Sequence, residues 1–315
     1  FEQALTRGAN SGAYTTVPAA GYRRGDFSAA LVAGSLGKDV LGRDILGNTV
    51  YDPLSSRTVD GRILRDPFPQ NRIDVSRLDP VALKLQEFIP MPDPTRLTPA
   101  GSPMLVNNFE IRYPRRQNRE VPSLKVDHHL GAEGRFSVYG ALYRLDGITH
   151  QDGLSVPVTG AAERDLAAWT LTLTGDYSVV PSLVAHLGLG WVRWENEEWP
   201  VAGVLQYPAA DPVRGIGLVG GLTAGMPAIT VGTGAANRGG MAGAMGSRYG
   251  TRQYSDKGTA TASLTYASDG HIYKVGGESY QDVWAVHDVL APLGSWNFGA
   301  AETALPYLGT TSVAG

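Results

Sequence analysis

The sequence predicts an all-β fold, a transmembrane antiparallel β-barrel present as a fragment of about seven strands with long extracellular loops. Three tight turns carry this prediction; they lie around Gly131–Gly134, Val180–Ser182 and Asp269–Gly270, and each joins two segments of alternating polarity. Long excursions, 146–165 and 195–257, separate the hairpins. Short turns on one side and long loops on the other are typical of outer-membrane barrels, whose short turns face the periplasm.

Bulk composition limits the other possibilities. The 315 residues could form one large domain or two, and 43% of them are hydrophobic. A net charge of −3 gives no electrostatic reason to expect a nucleic-acid partner. The chain has no cysteine, which excludes disulfides and thiolate metal sites. No uninterrupted apolar run reaches the roughly 18 residues of a transmembrane helix, and a barrel would show none because its strands alternate.

The patterning divides the chain into regions. Residues 1–7 are interpreted as the end of a barrel strand and 8–118 as a large extracellular loop region with one short helix. Residues 119–315 are interpreted as barrel hairpins with a second large extracellular loop at 195–257. The helix is predicted over 79–88, where a proline occupies the first helical position. Because the chain begins without Met and stops within a loop-like stretch, we expect an internal fragment of a longer exported protein.

The second and third hairpins separate two faces at a period of two. The residues predicted to face lipid, with aromatic girdles at the membrane edges, are Trp169, Leu171, Leu173, Tyr177, Leu187, Leu189, Trp191 and Tyr266. The residues predicted to face the lumen are Thr170, Thr172, His186, Thr261 and Thr265. The span from Trp169 to Tyr177 is about 26 Å along a strand. With the tilt of a barrel strand it crosses roughly 20 Å, close to the ~25 Å apolar band.

Short motifs follow one another in a fixed order in the first loop region. They are Thr16-Val17-Pro18, then Arg24-Gly25-Asp26-Phe27-Ser28, then Tyr51-Asp52-Pro53, then the stretch 71–82 with Ser76 and Arg77, and finally Ile89-Pro90-Met91-Pro92. This series resembles the first large extracellular loop of the Oar-like branch of the TonB-dependent outer-membrane transporters. Segments 125–128 and 271–277 are similar to strands of that family. Two departures are the missing proline after Ile73, and Asp93, where the family often has asparagine.

The resemblance implies a receptor and transporter of the cell outer membrane. It would bind an extracellular solute of unknown identity with residues 8–118 and 195–257. It would then import the solute with energy delivered by the TonB complex. The plug domain and TonB box that contact this complex would lie before Phe1. The other expected partners are membrane lipid and lipopolysaccharide, which phosphate-binding arginines such as those at 112–119 would meet at the membrane rim.

No catalytic, cofactor or metal site is predicted, so no enzyme is expected. The G-x-G-x-x-G match at 215–220 follows no strand and precedes no helix. In Asp127-His128-His129 the two histidines point to opposite faces of a strand and cannot share an ion. The stretch 146–153 lacks the spacing of a calcium loop.

Two other functional classes stay open. The loops could serve adhesion or matrix assembly at the outer membrane without transport. A soluble carbohydrate-binding β-protein is the third possibility, but the run Thr259, Thr261, Ser263, Thr265 indicates a wet lumen rather than a dry sandwich core.

The loop 195–257 is too apolar and too poor in charge for a freely disordered linker. We therefore predict that it folds over the barrel mouth or against residues 8–118. Short strands are expected around Ala228–Val231, and the loop becomes a candidate for ligand contact.

Overall fold

Long strands of alternating polarity form most of the molecule. The computed structural model describes residues 2–149, 151–222, 224–231, 239–241 and 243–306. Its strands are β1 (Glu2–Thr15), β2 (Val32–Lys38), β3 (Asp44–Gly47), β4 (Tyr51–Val59), β5 (Arg62–Pro67), β6 (Phe109–Val121), β7 (Ser123–Leu130), β8 (Gly134–Thr149), β9 (Ala162–Val180), β10 (Leu183–Pro200), β11 (Ala228–Val231), β12 (Ala244–Met245), β13 (Tyr249–Ser268), β14 (His271–Leu290) and β15 (Ser295–Phe298). Its α-helices are α1 (Pro80–Glu87) and α2 (Ala202–Leu205).

One antiparallel sheet, the main sheet, contains the long strands in the order β1-β6-β8-β9-β10-β13-β14, with β7 also paired to β8. Strands β6 and β7 are two parts of one strand interrupted at Pro122, since Glu120 opposes Arg144 and Ser123 opposes Ala141 in the same register. Proline cannot donate to the ladder, but its carbonyl accepts from the Leu142 amide at 3.0 Å. Because β6 and β7 count as one, the eight assigned strands correspond to seven strands of the main sheet. This confirms the predicted β class and strand number. Within the part of the chain that the structure describes, β1 and β14 each pair on one side only, so the sheet is open.

Tight turns join the strands at one end of the main sheet. They lie at 131–133, 181–182 and 269–270, as predicted. At the last of them Asp269 and Gly270 have φ angles of 50° and 79°. Two successive left-handed residues are the type I′ geometry that matches the twist of a two-residue hairpin. Asp-Gly is a preferred pair for that turn, and the hairpin prediction is confirmed.

All long connections lie at the opposite end, and together they are named the cap. The cap consists of L1 (16–108), L2 (150–161), L3 (201–248) and L4 (291–306, as far as the chain is described). The topology therefore has the one-sided loops that the sequence predicted. Among the described residues, no helix has the length and hydropathy to span a bilayer.

The strand boundaries differ from the predicted ones. Strand β1 runs to Thr15 rather than ending at residue 7, and β6 begins at Phe109 rather than near 119. The second loop is also shorter than 195–257, because β10 continues to Pro200 and β13 starts at Tyr249. The ends of β6, β10 and β13 are charged, and that of β1 is small and polar, so all of them lose the apolar alternation on which the prediction rested. Their backbones still pair, and cross-strand ion pairs such as Arg252–Glu197 at 2.8 Å accompany the pairing.

The short helix of L1 is confirmed. Helix α1 has Asp79 as its N-cap, and this side chain accepts from the amides of Val81 at 2.7 Å and Ala82 at 3.2 Å. The chain leaves the helix at Phe88. L1 also contains the hairpins β2–β3 and β4–β5, which were not predicted. Both are interrupted by bulges, so they lack the regular alternation that reveals a strand.

The topology predicts which residues are reached from outside an intact cell. The native chain has no cysteine, so single cysteines can be labelled without background. We expect a membrane-impermeant maleimide to label L54C in L1 on intact cells, and A132C in the first tight turn only after permeabilisation. Equal labelling of A132C and L54C in intact cells would contradict the orientation.

Candidate functional site

The main sheet gathers the predicted lipid-facing residues on one side, named the apolar face. The cross-strand partners Leu171 and Trp191 share it, as do Leu173 and Leu189. The full predicted set on this face is Trp169, Leu171, Leu173, Tyr177, Leu187, Leu189, Trp191 and Tyr266. Strand β8 continues it through Val138, which opposes Leu173. The register thus assembles one continuous apolar surface, and its contact with lipid stays a prediction.

The opposite side is named the polar face and carries the predicted lumen residues. These are Thr170, Thr172, His186, Thr261 and Thr265. The Oγ1 of Thr261 lies 3.4 Å from the carbonyl oxygen of Gly188, directly across the strand pair. Glycine leaves room for this approach, since a Cβ on Gly188 would come within 2.5 Å of the Thr261 Oγ1.

On the inner strands β9, β10 and β13, exposure runs largely opposite to that of a soluble sheet, whereas β7 and β14 are exposed on both faces. On the apolar face Leu171, Leu187 and Leu264 are 50%, 49% and 45% exposed. On the polar face the neighbouring threonines are half-buried and Gly188 is buried. A soluble antiparallel sheet buries its apolar side and exposes its polar side to water. The inversion indicates that the sheet curves around its polar face and presents its apolar face outward.

The apolar face ends sharply beyond Trp169 and Trp191. Farther toward the cap, the same side of the strands carries ion pairs between neighbouring strands. They are Arg144–Asp165 at 2.8 Å, Arg193–Asp256 at 3.2 Å and Arg252–Glu197 at 2.8 Å. A change from aliphatic to ionic side chains just beyond a row of tryptophans is typical of the aromatic girdle at a membrane edge.

A row of hydrogen-bonding side chains crosses the polar face near the tight turns. Arg135 opposes Asp176, which opposes His186, and the His186 Nδ1 lies 2.7 Å from the Asp176 Oδ1. Beside this row, Asp127 accepts from Arg135 at 2.9 Å and from the Ser137 hydroxyl at 2.6 Å. Ionic groups satisfied by partners within the face are consistent with the predicted lumen.

The motif Asp127-His128-His129 is placed as the sequence predicted. His128 opposes Phe136 on the apolar face, whereas His129 opposes Arg135 on the polar face. No cluster of three or more metal-ligating side chains stands together in the described ranges. Asp152, weighed as a calcium ligand, instead accepts from the amide of Gly160 at 2.6 Å and the hydroxyl of Thr159 at 2.8 Å, and so closes L2.

The cap has an apolar core to which several loops contribute. Val17 of L1, Val158 of L2 and Val204 and Met226 of L3 are all fully buried in it. The Gly246 amide of L3 donates to the Val158 carbonyl at 2.9 Å. The prediction that the second loop folds against residues 8–118 is therefore confirmed. So is its short strand, since β11 occupies the predicted residues.

L4 ties the other loops together. Its strand β15 pairs in parallel with β11 of L3. Farther along, Arg65 of L1 donates from Nη1 to the carbonyls of Ala301, Glu302 and Ala304, at 3.0, 3.0 and 2.8 Å. Leu305 completes a second small core with residues of the L1 hairpins. The cap is therefore a folded layer rather than a set of independent loops.

The family loop motif 24–28 forms the centre of L1. Gly25 has a φ of 79°, and a Cβ there would lie 2.4 Å from the Ile73 carbonyl oxygen, so only glycine fits. Asp26 accepts from the Ser28 hydroxyl at 2.6 Å and pairs with Arg72 at 3.1 Å. The Ser28 hydroxyl, followed by the Ser28 amide and Arg72, lowers the pKa of Asp26 to about 2. Arg24 is exposed.

The other motif residues hold neighbouring segments in place. Arg77 forms a bidentate pair with Asp52, at 2.7 and 2.8 Å, and its guanidinium lies 4.8 Å from the Phe68 ring centroid. The Arg77 hydrogen bond keeps the pKa of Asp52 below its usual range. The Ser76 hydroxyl donates to Asp74 at 2.6 Å. Phe27 stacks on Tyr22 with ring centroids 5.0 Å apart. The structure thus brings the separated motifs together, and their contacts are structural.

Sequence reasoning missed three side chains on which L1 depends. Buried Asn71 donates to the carbonyls of Phe27 and Asn48, at 2.8 and 3.0 Å. Buried Asn108 exchanges hydrogen bonds with the backbone of Val17. Arg23 donates to the carbonyls of Ile89 at 2.9 Å and Pro90 at 2.6 Å. Each acts on backbone groups far away in sequence, and no local spacing identifies such a contact.

One apolar recess of the cap lies within L1. It encloses about 830 Å³ between the chain at 19–29 and the hairpin-like segment 91–106. Its surface is mainly apolar, and Asp93 is the charged residue among those that line it. This recess is named the L1 groove.

Comparison with known families bears on the whole chain. The sequence model of one family, described as outer membrane beta barrel domain, matches residues 1–314. The match includes both the strands of the main sheet and the cap. Neither a curated protein nor a solved structure matches the chain.

The packing of L3 predicts selective proteolysis. Arg214 has a side chain that is 79% exposed, whereas Arg248 is half-buried against Gly160 of L2. On intact cells we expect trypsin to cut after Arg214 and to spare Arg248. Arg238 lies outside the described residues.

The variant G160A tests the contact between Arg248 and L2, and cutting after Arg214 is the internal control. A Cβ at Gly160 would lie 2.5 Å from the Arg248 Nη2, so the guanidinium must move. We expect faster cutting after Arg248 in this variant and an unchanged rate after Arg214, measured by mass spectrometry of the released fragments. Equal cutting at both sites in the native protein would show that L3 is exposed chain.

Proposed function

Starting from the fact that the chain belongs to the family of outer membrane beta barrel domains and lies in the outer membrane, we propose that it forms part of a receptor that imports an extracellular solute. The main sheet provides the membrane wall, and the cap provides the binding surface. Transport energy comes from the TonB complex through a plug domain. We propose no enzymatic activity and no nucleic-acid partner.

The observation that carries this proposal is the folded cap. L1 and L3 share a core. Strand β15 of L4 pairs with β11 of L3, and Arg65 of L1 donates to backbone carbonyls of L4. Loops ordered before a ligand arrives lose less conformational entropy on binding, which favours affinity. Such preorganisation suits solute capture from dilute solution.

The TonB component rests on the ordered motifs of L1. Their contacts, such as Arg77–Asp52, are formed between motif positions that the sequence separates widely. The motifs that carry the resemblance to the Oar-like branch thus pack together in this chain. The resemblance itself is what supports TonB-dependent import over passive diffusion.

Lipid and lipopolysaccharide are the proposed membrane partners. The apolar face contacts acyl chains, and the ionic band beyond Trp191 lies at the level of lipid head groups. Arg112 belongs to the basic run predicted to meet phosphate, and it is 75% exposed although it pairs with Glu110. The side chains of Arg115 and Arg116 lie outside the described part of the chain. Guanidinium groups bind phosphate in a bidentate manner.

Adhesion or matrix assembly is the second candidate, and one observation favours it. Several apolar side chains of the cap are almost fully exposed, among them Leu54 at 84%, Val213 at 89% and Val219 at 90%. Apolar side chains exposed to this degree are available for contact with a partner protein. The soluble carbohydrate-binding alternative has no support, because the apolar face is outward and the family is one of the outer membrane.

Two gene deletions distinguish import from adhesion. We expect loss of this protein and loss of TonB to produce the same nutrient-specific growth defect across a panel of carbon, nitrogen and iron sources. A protein without transport would instead produce a defect in cell aggregation that the TonB deletion does not reproduce. That second pattern would reject the import proposal.

A further inference from the structure

The L1 groove has the dimensions of a small-molecule site. Its volume of about 830 Å³ falls within the range of roughly 300–1,000 Å³ that is usual for ligand pockets. Small residues, Ala19, Ala20 and Ala29, form one wall, and Met91, Met104 and Leu105 form the other. The recess is concave, which suits a compact molecule better than a flat protein surface.

Both walls are held by contacts with neighbouring segments. Arg23 holds the chain just before Met91 through the carbonyls of Ile89 and Pro90. The base of the 91–106 segment is joined by the Asp93 amide, which donates to the Asn108 carbonyl at 2.8 Å. Arg96 lies over the Tyr14 ring, 3.9 Å from its centroid. A site with fixed walls needs little reorganisation to bind.

Asp93 gives the groove a single fixed negative charge. Its Oδ1 accepts from the Thr95 hydroxyl at 2.7 Å and from the Thr95 amide at 2.8 Å. These two bonds, the hydroxyl first, hold the pKa of Asp93 below its usual range, so the carboxylate stays ionised. Within the described ranges, no hydrogen-bond donor or ion pair is found at Oδ2.

The two nearest arginines do not neutralise this charge by direct contact. Arg112 forms its ion pair with Glu110. Arg96 stacks on Tyr14, and its Nε donates to the Asn107 carbonyl at 3.2 Å. An apolar recess with one ionised carboxylate is complementary to a ligand with an apolar body and one positive group.

We propose that the L1 groove binds a small cationic amphipathic molecule, with its apolar body between the alanine and methionine walls and its positive group at the Asp93 carboxylate. The inference deepens the proposed receptor function and rests on it. It places the solute-binding site in L1 and makes Asp93 the residue that selects for a positively charged solute.

The test uses purified full-length protein in phosphatidylcholine nanodiscs. Dansylcadaverine, which has an aromatic body and one ammonium group, is compared by fluorescence polarisation with its uncharged N-acetyl derivative. We expect the cationic probe to bind more tightly to the native protein. In D93N its affinity should fall roughly threefold to tenfold, as for loss of a half-exposed charged contact, and the affinity of the acetylated probe should not change. Asparagine retains the oxygen that accepts from Thr95.

Filling the groove gives a second measurement. Ala20 and Ala29 are exposed and line the recess, so A20W and A29W should occupy it without disturbing the core. We expect each to weaken both probes by more than about tenfold, because the ligand volume is lost. A100W is the matched control, since Ala100 is exposed in the same loop but does not line the groove. The heat-dependent gel shift of a folded barrel verifies every variant.

Two results would overturn the proposal. Binding to A20W and A29W that equals binding to A100W would show that the groove is not the site. An unchanged ratio of cationic to acetylated affinity in D93N would reject the cationic ligand class. Because binding is measured without transport, either result leaves the growth phenotypes of the two deletions unaffected, and failure of the groove proposal is distinguishable from failure of the import proposal.

Discussion

The bilayer interior supplies no hydrogen-bond partners. This constraint accounts for the continuous pairing of the main sheet and for its outward apolar face. Every backbone amide and carbonyl within it must pair inside the protein. The main sheet meets this requirement through continuous ladders such as β10–β13, in which Leu183 through Glu198 pair without interruption. Side chains on one face must then be apolar although they stay exposed. Among the described residues, β1 and β14 each leave one edge unpaired, and the same rule requires partners for those edges in lipid.

The cap depends on the strands that carry it. Strands β9, β10, β13 and β14 have 19, 18, 20 and 20 residues, about twice the 9–11 that cross a membrane. Their outer parts project beyond the aromatic girdle and are joined by ion pairs. They form a rigid base, and the loops that leave it converge on one apolar core. A groove in L1 can therefore keep its shape although it belongs to a connection between strands.

Much of the barrel could be predicted from the sequence because its signals are local. Period-two alternation identified the faces, Asp269-Gly270 identified a tight turn, and Pro80 identified the start of a helix. The charged strand ends could not be predicted, since they alternate neither in hydropathy nor in size. The contacts of Asn71 and Arg65 were also inaccessible, because each satisfies carbonyls that lie far away in the chain. The L1 groove could be recognised only from the structure, because its two walls are separated by some 60 residues of intervening chain.

The central claim is that the apolar face contacts lipid and the polar face lines a wet lumen. Nitroxide labels at L171C and T172C, adjacent residues on opposite faces, test it directly in reconstituted bilayers. We expect the label at position 171 to be accessible to oxygen and protected from a water-soluble nickel chelate, and the label at 172 to show the reverse. Nickel accessibility at 171 together with oxygen accessibility at 172 would contradict it.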